Sequence, residues 1–360
     1  MRIAYVSELV GSKKEGGGNI AAKNLYESMI SLGYEADLYS YYNGINSIIP
    51  CKIKEFPHLH QFTVMPLLGK SSLKKFEIDY DIIHLMSTTT SALYKPNIPS
   101  VITIHSILYQ QAESRAASHP LRYRLLYNHL SRNLARRMEL KSIHNADHVI
   151  TLKQETKDFL LNELGHYNSK DISVIPNGVD TDLFHPTSEK VENYVIFVGR
   201  GTIAKGFDTL LDAGPQIKAK IIVVTNSISP NYFQVAERQA VDLHFSISHV
   251  ELSALYRKSK IFVLPTLDEQ QPLTVLEAMA SGLPIVTTRV GASNLVEDGV
   301  NGIIVPPKNP EVLAEAVNYL LENPEIACRM GEINRNLIEK EYSWIHIAKK
   351  IGEIYKFLVR

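Results

Sequence analysis

Cysteine is nearly absent. Only Cys51 and Cys328 occur in 360 residues, and their spacing matches no metal-ligand pattern. So few thiols exclude a disulfide framework and point to a reducing cytosol, with both cysteines as inert packing thiols. Net charge is missing too. Lys+Arg and Asp+Glu both number 38, so the chain lacks the basic field that draws a protein to nucleic acid. No apolar run approaches the roughly 18 residues that a membrane span needs. The chain opens directly on a strand, Arg2 to Ser7, so no signal peptide is expected before it. What these absences leave is a cytoplasmic protein, soluble or at most peripheral on a membrane.

Apolar residues are plentiful. At 45% hydrophobic content and 360 residues, the chain is too long for one ordinary domain and rich enough to fill two cores. Short apolar strands alternate with longer helical patterns, the signature of parallel α/β architecture. Strands are expected near 2–7, 35–40, 82–85, 100–105, 147–151 and 172–175, with helices near 19–32, 121–143 and 153–163. A second series begins at 194–198 and continues through strands near 220–224, 261–264, 284–288 and 302–305. Helical patterns near 308–323, 325–340 and 344–358 close the chain. Two doubly wound domains joined near 176–192 fit this order. Ligands of such sheets sit beyond the carboxyl ends of the strands, which places the expected site in an interdomain cleft. The stretch 41–80 carries no readable pattern.

Glu269 and Glu277 frame the most informative segment, Pro265-Thr-Leu-Asp-Glu-Gln-Gln-Pro-Leu-Thr-Val-Leu-Glu277-Ala-Met-Ala-Ser-Gly-Leu-Pro284. An apolar strand runs into a short loop and then a helix. Pro272 suits the first helical position, and Gly282 with Pro284 stops the helix. The backbone N–H groups of Leu273, Thr274 and Val275 would then face the space beyond the strand, an anion site fit for a phosphate or diphosphate. A carboxylate on either side suits hydroxyl-rich groups attached to that phosphate. The frame reads as a nucleotide-sugar site.

Other strand-end residues have two readings each. Gly16, Gly17 and Gly18, preceded by Lys13 and Lys14, form either a phosphate-approaching loop or a surface turn, and their spacing is not a dinucleotide fingerprint. His84 and His105 end their strands and are either ligand-facing or structural. Arg200 and Lys205 are two cations suited to a diphosphate, or a solvated surface pair. Asp79-Tyr-Asp81 and Asp180-Thr-Asp182 are read as turn and strand-entry residues rather than metal ligands. The segment 115–141 carries Arg115, Arg122, Arg124, Arg132, Arg136, Arg137 and Lys141, with Leu126, Leu130, Leu134 and Met138 as an apolar stripe. Its basic face is either solvated or rests on an anionic membrane surface.

Together these residues resemble the retaining GT-B glycosyltransferases of group 1, family GT4, over nearly the whole chain. The resemblance rests on Glu269 and Glu277 with the Glu-Ala-Met-Ala-Ser-Gly-Leu-Pro run that starts at Glu277, and on Val198-Gly-Arg200 with Lys205-Gly206. Ile175-Pro-Asn-Gly-Val-Asp180, Asn301-Gly302, Asp81-Ile-Ile-His84 and Thr103-Ile-His105 add to it. It implies two Rossmann-like domains facing each other across a cleft. One is an acceptor-side domain over 1–180, with a helix near 344–360 packing back on it; the other is a donor domain over 188–343. It implies a retaining hexosyltransferase using a UDP- or GDP-sugar, with no cofactor and no metal. Arg200 and Lys205 would hold the diphosphate, Glu277 the ribose and Glu269 the sugar, while His105 would lie at the reacting face. Gly16–Gly18 would approach the phosphates or the acceptor, with His84 on the acceptor or sugar side. The acceptor is open, a lipid-linked carrier or polysaccharide among the candidates.

Two departures from the family pattern stand out. Where relatives carry Gly-Phe-Gly, this chain has Gln270-Gln271-Pro272, which removes one backbone donor and leaves the glutamine side chains to replace it. Thr225-Asn-Ser227 stands where a glycine-containing turn is usual. The alternatives are a catalytically weak paralogue acting as a binding or partner subunit, and a nucleotide-sugar epimerase. A nicotinamide dehydrogenase fits least, since neither half has its glycine fingerprint.

Overall fold

The computed structural model describes residues 1–7, 17–40, 70, 73–107, 121–164, 171–188 and 191–360, with no side-chain description for 121–132 and 164. Lys13, Lys14, Gly16, Cys51 and Arg115 lie outside the described residues. The chain divides into two compact units, Met1–Pro176 with Ile347–Arg360, and Asn177–His346.

The first unit is a parallel sheet of β1 (Arg2–Ser7), β2 (Glu35–Ser40), β3 (Ile82–Leu85), β4 (Ser100–Ile104), β5 (His148–Thr151) and β6 (Ile172–Val174), in the order β2-β1-β3-β4-β5-β6. Its central strands are buried on both faces, which is why they read as continuous apolar runs. Ala4, Val6, Ile83, Leu85, Ile102 and Ile104 belong to one core. Tyr5, His84 and Val101 pair in register across β1, β3 and β4, so they share one face. There the hydroxyl of Tyr355, from the helix Trp344–Leu358, lies 2.9 Å from the Tyr5 hydroxyl and 2.5 Å from His84 Nδ1. His84 Nε2 lies 2.7 Å from the Thr103 hydroxyl.

This network corrects the ligand-facing expectation for His84. The ring is fully buried, both nitrogens are occupied, and burial pushes its pKa down to about 3. A neutral imidazole that stitches the last helix to the sheet has no nitrogen left for an acceptor.

The second unit holds β7 (Tyr194–Val198), β8 (Lys220–Thr225), β9 (Asp242–Phe245), β10 (Ile261–Leu264), β11 (Ile285–Thr288) and β12 (Gly302–Val305), all parallel, in the order β12-β11-β10-β7-β8-β9. The chain winds outward from β7 to β9, then crosses to β10 and winds the other way. β7 and β10 are therefore the switch point, where the loops leaving two adjacent strands diverge and open a crevice. Strand β9 has no counterpart in the sequence reading. It is an edge strand, half-buried up to its exposed Phe245, so it carries no buried apolar run. The helices Phe207–Ala213, Pro230–Arg238 and His249–Lys258 span only 7, 9 and 10 residues, too short for an apolar period to stand out. The helices Pro310–Glu322 and Pro324–Glu341 each begin on a proline, whose missing N–H costs nothing there.

Candidate active site

The loops leaving β7 and β10 are built to lie against each other. Beyond β7, the Gly201 amide donates to the Ser227 carbonyl at 2.8 Å and to the Thr225 hydroxyl at 3.2 Å, which fixes the backbone beside exposed Arg200. A short 3₁₀ turn, Ile203–Lys205, then closes on Gly206 at φ +68°. A Cβ at Gly206 would stand 1.9 Å from the Pro265 carbonyl oxygen, so glycine is required on both counts. The Leu267 amide and the Thr266 hydroxyl both donate to the Ala204 carbonyl, at 2.8 and 2.9 Å. Behind them the Thr288 hydroxyl donates to the Thr266 carbonyl at 2.6 Å. The product of this bracing is an ion pair: the Lys205 ammonium donates to the Glu269 carboxylate, the side chains being 14% and 19% exposed. A pair screened this far from water is stronger than a surface one, yet it stays reachable by a ligand.

The helix Leu273–Ala280 starts directly after this loop. Pro272 is its N-cap, with φ −72° and ψ 119°, rather than its first helical residue, and no side chain caps the helix. Its carbonyl accepts the Val275 amide at 3.1 Å, so Val275 is not the free donor that the sequence led us to expect. The amides of Leu273 and Thr274 have no acceptor among the described residues. Two N–H groups and the helix dipole thus remain for an anion.

Glu277 lies one turn in and is 7% exposed. The Tyr256 hydroxyl stands 3.1 Å from its carboxylate and 3.2 Å from the Thr274 carbonyl. Burial pushes the Glu277 pKa up to about 7, against the smaller opposing effect of the tyrosine. Tyr256 escaped the sequence reading because it looks like a core residue of the helix His249–Lys258. Only its distance from Glu277 reveals the contact.

The Gln-Gln-Pro segment is held from both sides. The Asn177 amide donates to the Gln271 side-chain carbonyl at 2.6 Å, with both residues buried. The Gln270 carbonyl accepts the Ser293 hydroxyl, and Ser293 adopts a left-handed backbone at φ 44°. Gln271 was expected on the sugar side; its side-chain carbonyl is instead bonded to the backbone of Asn177. The Gln270 side chain is half-buried.

In the first unit, His105 follows β4, and its ring packs on the start of the helix Gly17–Ser31. A Cβ at Gly18 would stand 3.3 Å from His105 Cγ, so the small residue admits the ring. The His105 Nε2 is buried without a partner among the described residues, and burial pushes the pKa down to about 4. The side chain is a neutral imidazole whose buried Nε2 is unused among the described residues. Asn19, on the same helix, accepts the Ser7 hydroxyl at 2.8 Å.

The Asp-x-Asp triplets are engaged locally. Asp180 accepts the amides of Asp182 and Leu183 at 3.0 Å each, and Asp81 accepts the Arg2 amide at 2.7 Å. In the helix Leu121–Asn145, the described buried side chains are Ala135, Glu139, Ser142 and Ile143, while Leu134 and Met138 are half-buried. The inner face is thus rotated from the predicted leucine stripe. Arg136 pairs with Glu163, and Arg137 and Lys141 are exposed.

Family comparison matches residues 15–183 to the model described as Glycosyltransferase Family 4 and residues 192–323 to that described as Glycosyl transferases group 1. The chain is 27% identical to an uncharacterized glycosyltransferase of Methanocaldococcus jannaschii, over 99% of this chain and 98% of the relative. Among solved structures, sucrose-phosphate synthase of Thermosynechococcus elongatus superposes with a TM-score of 0.81 at 23% identity, covering 99% of this chain and 98% of that one. The Anabaena protein HepE, solved in complex with UDP-glucose, gives 0.74 at 20% identity, over 99% and 100%. Both structural likenesses are likenesses of fold.

Proposed function

The chain belongs to the group 1, family 4 glycosyltransferases of the GT-B fold, and from that membership we propose that it moves a hexose from a UDP- or GDP-sugar to an acceptor hydroxyl. The transfer retains anomeric configuration and needs no divalent metal. The observation that carries the donor half is the convergence, at one switch point, of Arg200, Lys205, Glu269 and an uncapped helix start with buried Glu277 one turn in. HepE, a fold relative, was solved in complex with UDP-glucose, which supports a uridine donor here.

Breaking the anomeric C–O bond puts negative charge on the diphosphate and positive charge on the sugar ring. Arg200, Lys205 and the amides of Leu273 and Thr274 meet the developing negative charge without solvent having to reorganise. Lys205 leaves Glu269 or is shared with it as the diphosphate enters, and Glu269 is thereby released towards sugar hydroxyls. Glu277 accepts the ribose hydroxyls. His105, neutral at pH 7, serves the reacting face of the sugar by hydrogen bonding rather than as a cation. The acceptor oxygen bonds to the anomeric carbon on the face that the diphosphate leaves, and its proton passes to the departing phosphate oxygen. Arg200 and Lys205 thus do the work that a bound cation would otherwise do.

A thermal-shift panel of UDP- and GDP-sugars tests the donor assignment, because a ligand that binds only the folded state raises the melting temperature. At least one should do so, and the anomeric proton coupling of the product should match that of the donor. A panel without any shift, or an inverted product, overturns the reading. Peripheral association with an anionic cytoplasmic membrane face is proposed from exposed Arg137 and Lys141. Among the described residues no helix is long and apolar enough to cross a membrane. Absence of co-sedimentation with anionic vesicles at low salt would remove the membrane proposal.

A further inference from the structure

We propose that Gln271 is a positioning residue that sets the geometry of the sugar-binding loop, doing with a side chain what backbone freedom cannot do here. The proposal rests on the donor reading above. From Thr266 to Gln271 the loop has no glycine, and Pro272 closes it with a fixed φ of −72°. Its shape must therefore come from bonds to its surroundings. Two such bonds flank Gln270: the Ser293 hydroxyl on the Gln270 carbonyl, and the Asn177 amide on the Gln271 side chain at 2.6 Å.

The second bond ends on a rigid anchor. The Val179 amide donates to the Tyr342 carbonyl at 2.8 Å, and the Trp344 amide returns to the Val179 carbonyl at 3.2 Å. Between them Gly178 is pressed so closely that a Cβ would stand 2.7 Å from Trp344 Cδ2. The segment beside Asn177 is thus fixed at two consecutive residues, Gly178 and Val179, and Gln271 transmits that fixity to the loop bearing Glu269 and Gln270. Because Asn177 and Gln271 are 6% and 7% exposed, water does not readily replace the bond. The diphosphate-binding cations Arg200 and Lys205 are braced separately, through Gly201, Ala204 and Gly206, and the amides of Leu273 and Thr274 are held by the helix that they start. Loss of the Gln271 bond should therefore move the sugar contacts and spare the nucleotide contacts.

Calorimetric affinities for UDP, UDP-glucose, GDP and GDP-mannose, with the donor KM and kcat, test this in wild type, Gln271→Met and Gln271→Glu. Methionine keeps the length and removes the acceptor; glutamate keeps a carbonyl oxygen in either protonation state. The expected result is a Gln271→Met enzyme whose nucleoside diphosphate affinity stays within twofold while its sugar-nucleotide KM rises at least fivefold. Gln271→Glu should restore most of that loss. If the methionine variant does not fold, Gln271→Asn, one methylene too short to reach Asn177, is measured in its place with the same expectation. A sugar-nucleotide KM within twofold of wild type, or equal losses for nucleotide and sugar nucleotide, overturns the positioning role alone. A wild-type protein that binds none of the four probes overturns the donor reading as well.

Discussion

Replacing Glu277 with glutamine should change the pH dependence of stability in a direction that the structure fixes. The carboxyl is buried against Tyr256, and burial raises its pKa from the ordinary 4.5 to about 7. A raised acid binds its proton more readily in the folded chain than in the unfolded one. Its contribution is therefore fully present below pH 4.5 and is lost as pH rises through about 7. At roughly 1.4 kcal/mol per pH unit, the loss is on the order of 3 kcal/mol. Glutamine keeps an oxygen for the Tyr256 hydroxyl and does not titrate. In urea unfolding at pH 5, 6, 7 and 8, the variant's stability relative to wild type should be lowest at pH 5 and rise progressively towards pH 8. Groups common to both proteins cancel in the difference. A difference that is flat across this range, or that falls with pH, would refute the buried-acid account. If ribose hydroxyls donate to Glu277 they favour its charged form, and wild-type affinity for a sugar nucleotide should then rise through pH 7 while the variant's should not.

Gly206→Ala would force a Cβ onto the Pro265 carbonyl in a left-handed backbone, so the β7 and β10 loops must part. Donor affinity should fall by more than tenfold with only a modest loss of melting temperature; unchanged affinity would sever the loop bracing from the site. Tyr355→Phe removes the hydroxyl shared by Tyr5 and His84 and should cost about 1–3 kcal/mol in denaturant unfolding. Its nucleotide affinity should stay at the wild-type level, and a large loss there would mean that the buried network reaches the site.

The central strands of both sheets were legible because a parallel sheet covered on both faces leaves unbroken apolar runs there, whereas the edge strand β9 was not. The strand–loop–helix frame that carries Glu269, Pro272 and Glu277 was legible as well, since these residues are local in sequence. Contacts closed by tertiary structure were not. The partner of Gln271 is Asn177, and the partner of His84 is Tyr355 at the far end of the chain. No periodicity encodes such pairs. His84 and His105 looked alike, each near the carboxyl end of an apolar strand. What separates them is occupancy of the ring nitrogens, which depends on what packs over each strand end. Pro272 moved by one helical position because a proline suits either side of a helix start, and its ψ angle decides.

The most direct measurement is a calorimetric titration of the donor found by the panel into wild type and Lys205→Ala. If Lys205 leaves Glu269 to hold the diphosphate, losing its charge-assisted bonds should cost about 1.5–3 kcal/mol, roughly a ten- to hundredfold weaker affinity. An alanine variant that binds the donor as tightly as wild type would contradict the site.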